Sequence, residues 1–98
     1  MKEISTIEVE ALVKTNAPIR MIDVREEDEV ATGIIPHAIH IPLGLIESTM
    51  KDLDPSQQYI MICRSGNRSS MAAKLLEEHG YNVMNMTGGM LEYSGPKE

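Results

Sequence analysis

The sequence predicts an α/β fold, in which helices wind around one layer of parallel sheet. Short apolar runs at residues 19–24, 38–41, 59–62 and 81–86 alternate with stretches whose apolar residues recur at helical spacing. Proline, glycine and asparagine punctuate the boundaries between them. Ninety-eight residues suit one compact domain, 1–98, with no linker and no second core.

The elements follow in order. Ser5-Thr6-Ile7-Glu8 fits a capping box, and Ile7, Val9, Ala11, Leu12 and Val13 supply the buried side of the helix it opens, which Asn16-Ala17-Pro18 ends. Residues 19–24 form a buried strand. Glu26-Glu27-Asp28-Glu29 suits the first turn of a short helix, where the helix dipole favours negative charge, and otherwise reads as a solvated face. Ile34-Ile35-Pro36 leads into a short strand at 38–41, closed by Pro42. A weak helix over 43–53 and a turn at Asp54-Pro55-Ser56 precede the central strand, 59–62. The helix over 67–79 ends at Gly80, a good C-terminal cap. Residues 81–86 make the last strand, Thr87-Gly88-Gly89 a turn, and 90–93 a final helical turn.

Composition excludes several function classes. With no Trp or Phe and only three Tyr, the interior is built from Ile, Leu, Val, Ala and eight Met, which argues against function by aromatic stacking. Met84, Met86 and Met90 read as core filling. A net charge of -6 argues against nucleic acid or an anionic membrane as partner. Met1-Lys2-Glu3-Ile4 has no apolar signal core, and no run approaches the ~18 apolar residues that cross a bilayer; a cytoplasmic location is expected. One cysteine excludes an internal disulfide and a four-thiolate metal site. His37 and His40 lack a carboxylate at ligand spacing and His79 is distant, a helix C-terminal residue facing the dipole, so neither metal nor other cofactor is expected.

The stretch Ile60-Met61-Ile62-Cys63-Arg64-Ser65-Gly66-Asn67-Arg68-Ser69 carries the chemistry. Cys63 ends a buried strand and precedes a helix N-terminus, where backbone N–H groups converge and the positive end of the dipole favours a thiolate or a bound oxyanion. Arg64 and Arg68, two of four arginines, flank it. Gly66 allows a positive φ that turns successive N–H groups inward, and Ser65, Asn67 and Ser69 add small donors. An unperturbed thiol of pKa about 8.5 is only about 3% ionised at pH 7. A pKa near ~6.5 ionises about three quarters and requires about 2.7 kcal/mol of differential stabilisation, of which the helix terminus contributes ~0.3–2 kcal/mol. Arginines and N–H donors must supply the rest. In an open parallel sheet, ligands collect outside the carboxyl ends of the strands, which puts Arg25 and Cys63 on one edge. Arg25 also reads as an ion-pair partner of Glu29, and Asp23 either as a catalytic carboxylate or, at a strand end, as the acceptor of a structural hydrogen bond.

The loop from Cys63 to Ser69 resembles the active-site loop of the small single-domain rhodanese-like sulfurtransferases. Ile22-Asp23-Val24-Arg25, the segment from Gly33 to Pro42 and Gly88-Gly89-Met90-Leu91-Glu92-Tyr93 resemble three further motifs of that family. Ile34, His37, His40 and Tyr93 depart from its usual residues, and His37 falls where it would alter the rim of the site. The resemblance implies a small central parallel sheet of about five strands flanked by helices on both faces. It also implies sulfur transfer through a persulfide on Cys63, with Arg64, Ser65, Gly66, Asn67, Arg68 and Ser69 binding the substrate. The implied partners are a small anionic donor such as thiosulfate and an acceptor such as cyanide, glutathione or a thioredoxin-like thiol. Cysteine-dependent phosphatases place their arginine six residues after the cysteine, whereas Arg68 falls one position early; the smaller ring favours a sulfur over a phosphoryl group. The alternatives are a protein-to-protein persulfide relay, a phosphate or arsenate enzyme, and a non-catalytic binding module.

Overall fold

Five strands frame the structure, a computed structural model that describes residues 1–98. They are β1 (Lys2–Ser5), β2 (Arg20–Asp23), β3 (Ile39–His40), β4 (Gln58–Ile62) and β5 (Asn82–Thr87). Their order in the sheet is β1-β5-β4-β2-β3, and every pairing is parallel. The helices are α1 (Thr6–Lys14), α2 (Glu27–Val30), α3 (Ile46–Thr49), α4 (Asn67–Glu78) and α5 (Gly89–Glu92).

β4 lies at the centre because it is apolar on both faces, as a parallel strand covered on both sides must be. Tyr59, Met61 and, just past its end, Cys63 pack with Ile22, Ile46, Ala72, Ala73 and Leu76 under α3 and α4. Ile60 and Ile62 point the other way, to a second core with Val9, Ile35, Met86 and Tyr93 under α1 and α5. Burial in two separate cores fixes the register of β4, since a one-residue slip would exchange its two faces. No helix is long and apolar enough to cross a membrane.

Most expected elements appear within one or two residues of their expected limits, and the capping box is formed: the Glu8 N–H donates to Ser5 Oγ at 3.1 Å and the Ser5 N–H to Glu8 Oε1 at 3.2 Å. Four features differ. The sequence pattern predicts no strand before α1, yet residues 2–5 pair with β5 as an edge strand in which only Ile4 is buried. Ile7 is 76% exposed and Ala11 is exposed, because Val9 and Thr6 point inward and Ile7 lies about 200° around the helix from Val9. The helix expected over 43–53 is broken into a 3₁₀ turn (Leu43–Leu45), α3 and a second 3₁₀ turn (Met50–Asp52). His37 sits at the opposite edge of the sheet from Cys63, at φ +71°, in a small cleft with Val13, Asn16 and Ile19, and does not rim the loop.

Leu76 is fully buried between α4 and the sheet. Truncating it to alanine will lower the unfolding free energy by ~2–5 kcal/mol, read as a reduced urea midpoint with an unchanged slope.

Candidate active site

β4 delivers the chain to the carboxyl edge of the sheet, and residues 63–66 turn it into α4. Gly66 caps that helix at φ +103°, a conformation in which any Cβ is strained. Cys63 is fully buried at this turn. The Gly66 N–H donates to Sγ at 3.0 Å, and the Ser69 hydroxyl oxygen, one turn into α4, stands 3.2 Å from it. Backbone N–H groups of Ser69 and Ser65 add to the ring. Burial pushes the Cys63 thiol up, but the Ser69 hydroxyl and the three N–H donors outweigh it and hold the thiol below its ordinary value.

The Cys63 and Arg64 carbonyls turn away from the sulfur to partners elsewhere. Met90 N–H donates to the Cys63 carbonyl and Leu91 N–H to the Arg64 carbonyl, both at 2.9 Å, so the first turn of α5 holds the loop from behind. Those donors are orphans of a helix N-terminus and need partners outside the helix. Close approach depends on Gly89, at φ +59°, where a Cβ would lie 2.7 Å from the Cys63 carbonyl oxygen and nearer still to the Arg64 carbonyl.

The arginines divide into bound and free. Arg68 is bidentate to Glu29 of α2, at 2.6 and 2.7 Å, tying α4 to the segment after β2. That corrects the expected Arg25–Glu29 ion pair: Arg25 contacts only the backbone carbonyl of Glu29, at 3.3 Å. Its ion pair is with the fully buried Asp23 at 2.8 Å, and it also donates to the Gly33 carbonyl at 2.7 Å. Asp23 therefore has the structural role expected of it. Of the acidic cluster, Glu26, Glu27 and Asp28 are exposed, whereas Glu29 is half-buried and paired. Arg64 is exposed and, with Lys97, Met90 and Leu91, lines a cleft of about 400 Å³ beside the loop.

Of the seven loop residues singled out from the sequence, Cys63, Gly66 and Ser69 meet at the sulfur, and Ser65 adds its N–H. Ser65 and Asn67 are exposed, so of the three small polar side chains only that of Ser69 reaches Sγ. His40 Nε2 lies 2.7 Å from the Arg25 carbonyl, and His79 Nδ1 2.8 Å from the Leu75 carbonyl at the end of α4. No group of three or more His, Cys, Asp or Glu side chains is placed to hold a metal ion. Sequence reasoning missed Asn85, a buried polar residue of β5 that touches both Ser69 and the Gly66 carbonyl. The signal was present: Asn85 falls two residues after Val83 and so shares its inward face.

A family model described as rhodanese-like domain matches residues 5–95. The chain is 43% identical over 95 residues to YtwF of Bacillus subtilis, which carries the name of a sulfurtransferase; the match covers 97% of this chain and 92% of that protein. It is 35% identical to YrkF of the same organism, named for a sulfur carrier protein, over 98% of this chain and 52% of that one. A crystal structure of a rhodanese-like domain protein from Staphylococcus aureus superimposes with a TM-score of 0.93 at 31% identity, covering 100% of this chain and 97% of the other.

Gly89→Ala will destabilise the protein by ~1–3 kcal/mol through strain at a positive φ, seen in urea unfolding. It will also raise the thiol pKa, seen in the pH dependence of alkylation, because the loop must retreat from the added Cβ. Glu29 is held at about 2, below its ordinary 4.5, by the Arg68 guanidinium and then the Glu26 N–H. A depressed acid stabilises the fold above its unfolded pKa and loses that contribution as pH falls through the folded one. The stability gap between wild type and Glu29→Gln, ~1 kcal/mol or less for a partly exposed pair, will therefore hold at neutral pH and close between pH 4.5 and about 2.

Proposed function

The chain belongs to the rhodanese-like domain family, and we propose that within it the chain is a sulfurtransferase that carries a sulfane sulfur on Cys63. The observation behind this reading is the buried Sγ ringed by the Gly66 N–H at 3.0 Å, the Ser69 hydroxyl at 3.2 Å and the N–H groups of Ser65 and Ser69, at the start of the 12-residue α4. Such a ring stabilises negative charge first on Sγ and then on one further sulfur attached to it. The names of YtwF and YrkF support the same chemistry.

With thiosulfate as donor, the Cys63 thiolate attacks the sulfane sulfur, a new S–S bond forms, and sulfite leaves with the electron pair of the bond that breaks. Arg64 and Lys97, free cations beside the loop, draw the dianion in and steady the departing sulfite. Arg68, neutralised by Glu29, braces the loop. Because the chain has a single cysteine, the persulfide is discharged by an external nucleophile: cyanide, glutathione or a thioredoxin-like thiol. Dependence on a reduced thiol suits the cytoplasm. A relay to a protein acceptor is the second reading, favoured by the sulfur-carrier name of YrkF, of which this chain spans about half.

Wild-type protein will catalyse sulfur transfer from thiosulfate to cyanide, and Cys63→Ser will reduce it to background. Mass spectrometry after thiosulfate treatment will show one added sulfur on the wild-type chain, removed by dithiothreitol. Activity surviving in Cys63→Ser overturns the mechanism. Poor thiosulfate turnover together with rapid sulfur uptake from a persulfidated protein selects the relay.

A further inference from the structure

Asn85 lies on β5, 4% exposed, with both ends of its amide engaged. One end is 3.1 Å from the Gly66 carbonyl, which can only accept, so that end is the Nδ2 donor. The other end is then Oδ1, which can only accept, and it stands 2.5 Å from Ser69 Oγ. The Ser69 hydroxyl has a single proton, yet it stands between two acceptors, Asn85 Oδ1 and, at 3.2 Å, Cys63 Sγ.

We propose that Asn85 is a positioning residue of this site: by competing for the one Ser69 proton, it makes the Ser69 hydroxyl a two-way switch that follows charge on the Cys63 sulfur. When Sγ is neutral, as a thiol or as the inner sulfur of a persulfide, the proton points to Asn85 and Ser69 offers the sulfur only a lone pair, which a thiol S–H can use. When Sγ becomes a thiolate, the hydroxyl turns and donates to it. The consequence for turnover rests on the sulfur-transfer reading above. As cyanide carbon attacks the outer sulfur, a C–S bond forms, the S–S bond breaks and Sγ departs with the electron pair. The Ser69 hydrogen bond then appears on Sγ only as charge develops there, and no proton changes owner. An interaction made in the transition state and absent before it accelerates the step. The Gly66 carbonyl that Nδ2 contacts also accepts from the Ser70 N–H at 3.1 Å, so it stays held when Asn85 is replaced.

The other charged groups around the thiol are Arg64 in the loop, Arg68 on α4, Glu29 with its neighbour Glu26 at α2, and the Asp23–Arg25 pair at the end of β2. None is hydrogen-bonded to the side chain of Ser69 or Asn85, so the coupling has a route independent of them.

The test is the pH dependence of Cys63 alkylation by iodoacetamide in wild type, Asn85→Leu, Ser69→Ala and the double variant. Asn85→Leu frees the Ser69 proton for the sulfur and is expected to lower the thiol pKa by about half a unit to one unit, the worth of one hydrogen bond. Ser69→Ala is expected to raise it, and in that background Asn85→Leu is expected to leave it unmoved. Asn85→Asp keeps the volume if the leucine variant does not fold; its stronger acceptor is expected to raise the pKa more with Ser69 present than with Ser69→Ala. Shifts of equal size in both backgrounds, or a rise for Asn85→Leu with Ser69 present, overturn the proposal. Alkylation needs no sulfur donor, so this result stands apart from the persulfide assay: a failed sulfur transfer with the coupling intact refutes the reaction and not the switch.

Discussion

Everything at this site depends on which way the peptide groups between Cys63 and Gly66 face. A backbone N–H can aim at the sulfur only if the carbonyls of the same peptides find partners on the other side, because a buried carbonyl without one costs ~1–3 kcal/mol. The first turn of α5 provides those partners, donating from Met90 and Leu91 to the carbonyls of Cys63 and Arg64. Each helix terminus thereby satisfies the other's need: α5 disposes of orphan N–H groups, and the loop before α4 disposes of its carbonyls. Gly89 brings the two close enough, and Tyr93, buried and donating to the Pro96 carbonyl at 2.9 Å, anchors the chain immediately after α5.

With that geometry in place, the electrostatics of the site become simple. Arg68 is cancelled by Glu29, and Arg25 by Asp23. The Arg68–Glu29 pair holds the segments after β2 and β4 together, the Arg25–Asp23 pair braces the end of β2, and both contribute little net charge near Sγ. What remains close to the sulfur is a set of amide and hydroxyl dipoles that need no reorganisation when charge appears. Arg64 and Lys97 stand at the cleft beside the loop, which Asp28 and Glu29 line as well.

This division explains what could be read from the sequence. The Cys63 loop is contiguous, so strand, turn and helix N-terminus were legible from spacing alone, as was the positive φ of Gly66. Arg68–Glu29 spans 39 residues and Ser69–Asn85 spans 16, and nothing local announces such pairs. Glu29 resembles one more solvated acid in a cluster, and only the fold separates it from Glu26 to Asp28. β1 was hidden because Lys2, Glu3 and Ser5 leave it a single buried apolar residue, Ile4; its strand state comes from pairing with β5, not from its own composition. Ile7 departs from expectation because apolar identity does not decide burial, whereas the phase relative to Val9 does. His37 falls inside a family motif in the sequence, but it enters two residues before β3 and so lies at the far edge of the sheet.

The residues that shape the sulfur's surroundings from behind come from β5 and the helix after it: Asn85, Gly89, Met90 and Leu91. One strand and the tight turn at Gly88 that leads from it into α5 set the position of all four together, so any displacement of β5 against β4 moves the donors behind the loop and the amide beside Ser69 at once. The parallel pairing of Gln58 to Met61 with Asn82 to Asn85, buried on both faces, is what prevents that displacement. Packing of the central sheet and ionisation of the Cys63 sulfur are therefore one mechanical problem, because the thiol supplied by the middle of the chain has its electrostatics set by the end of it.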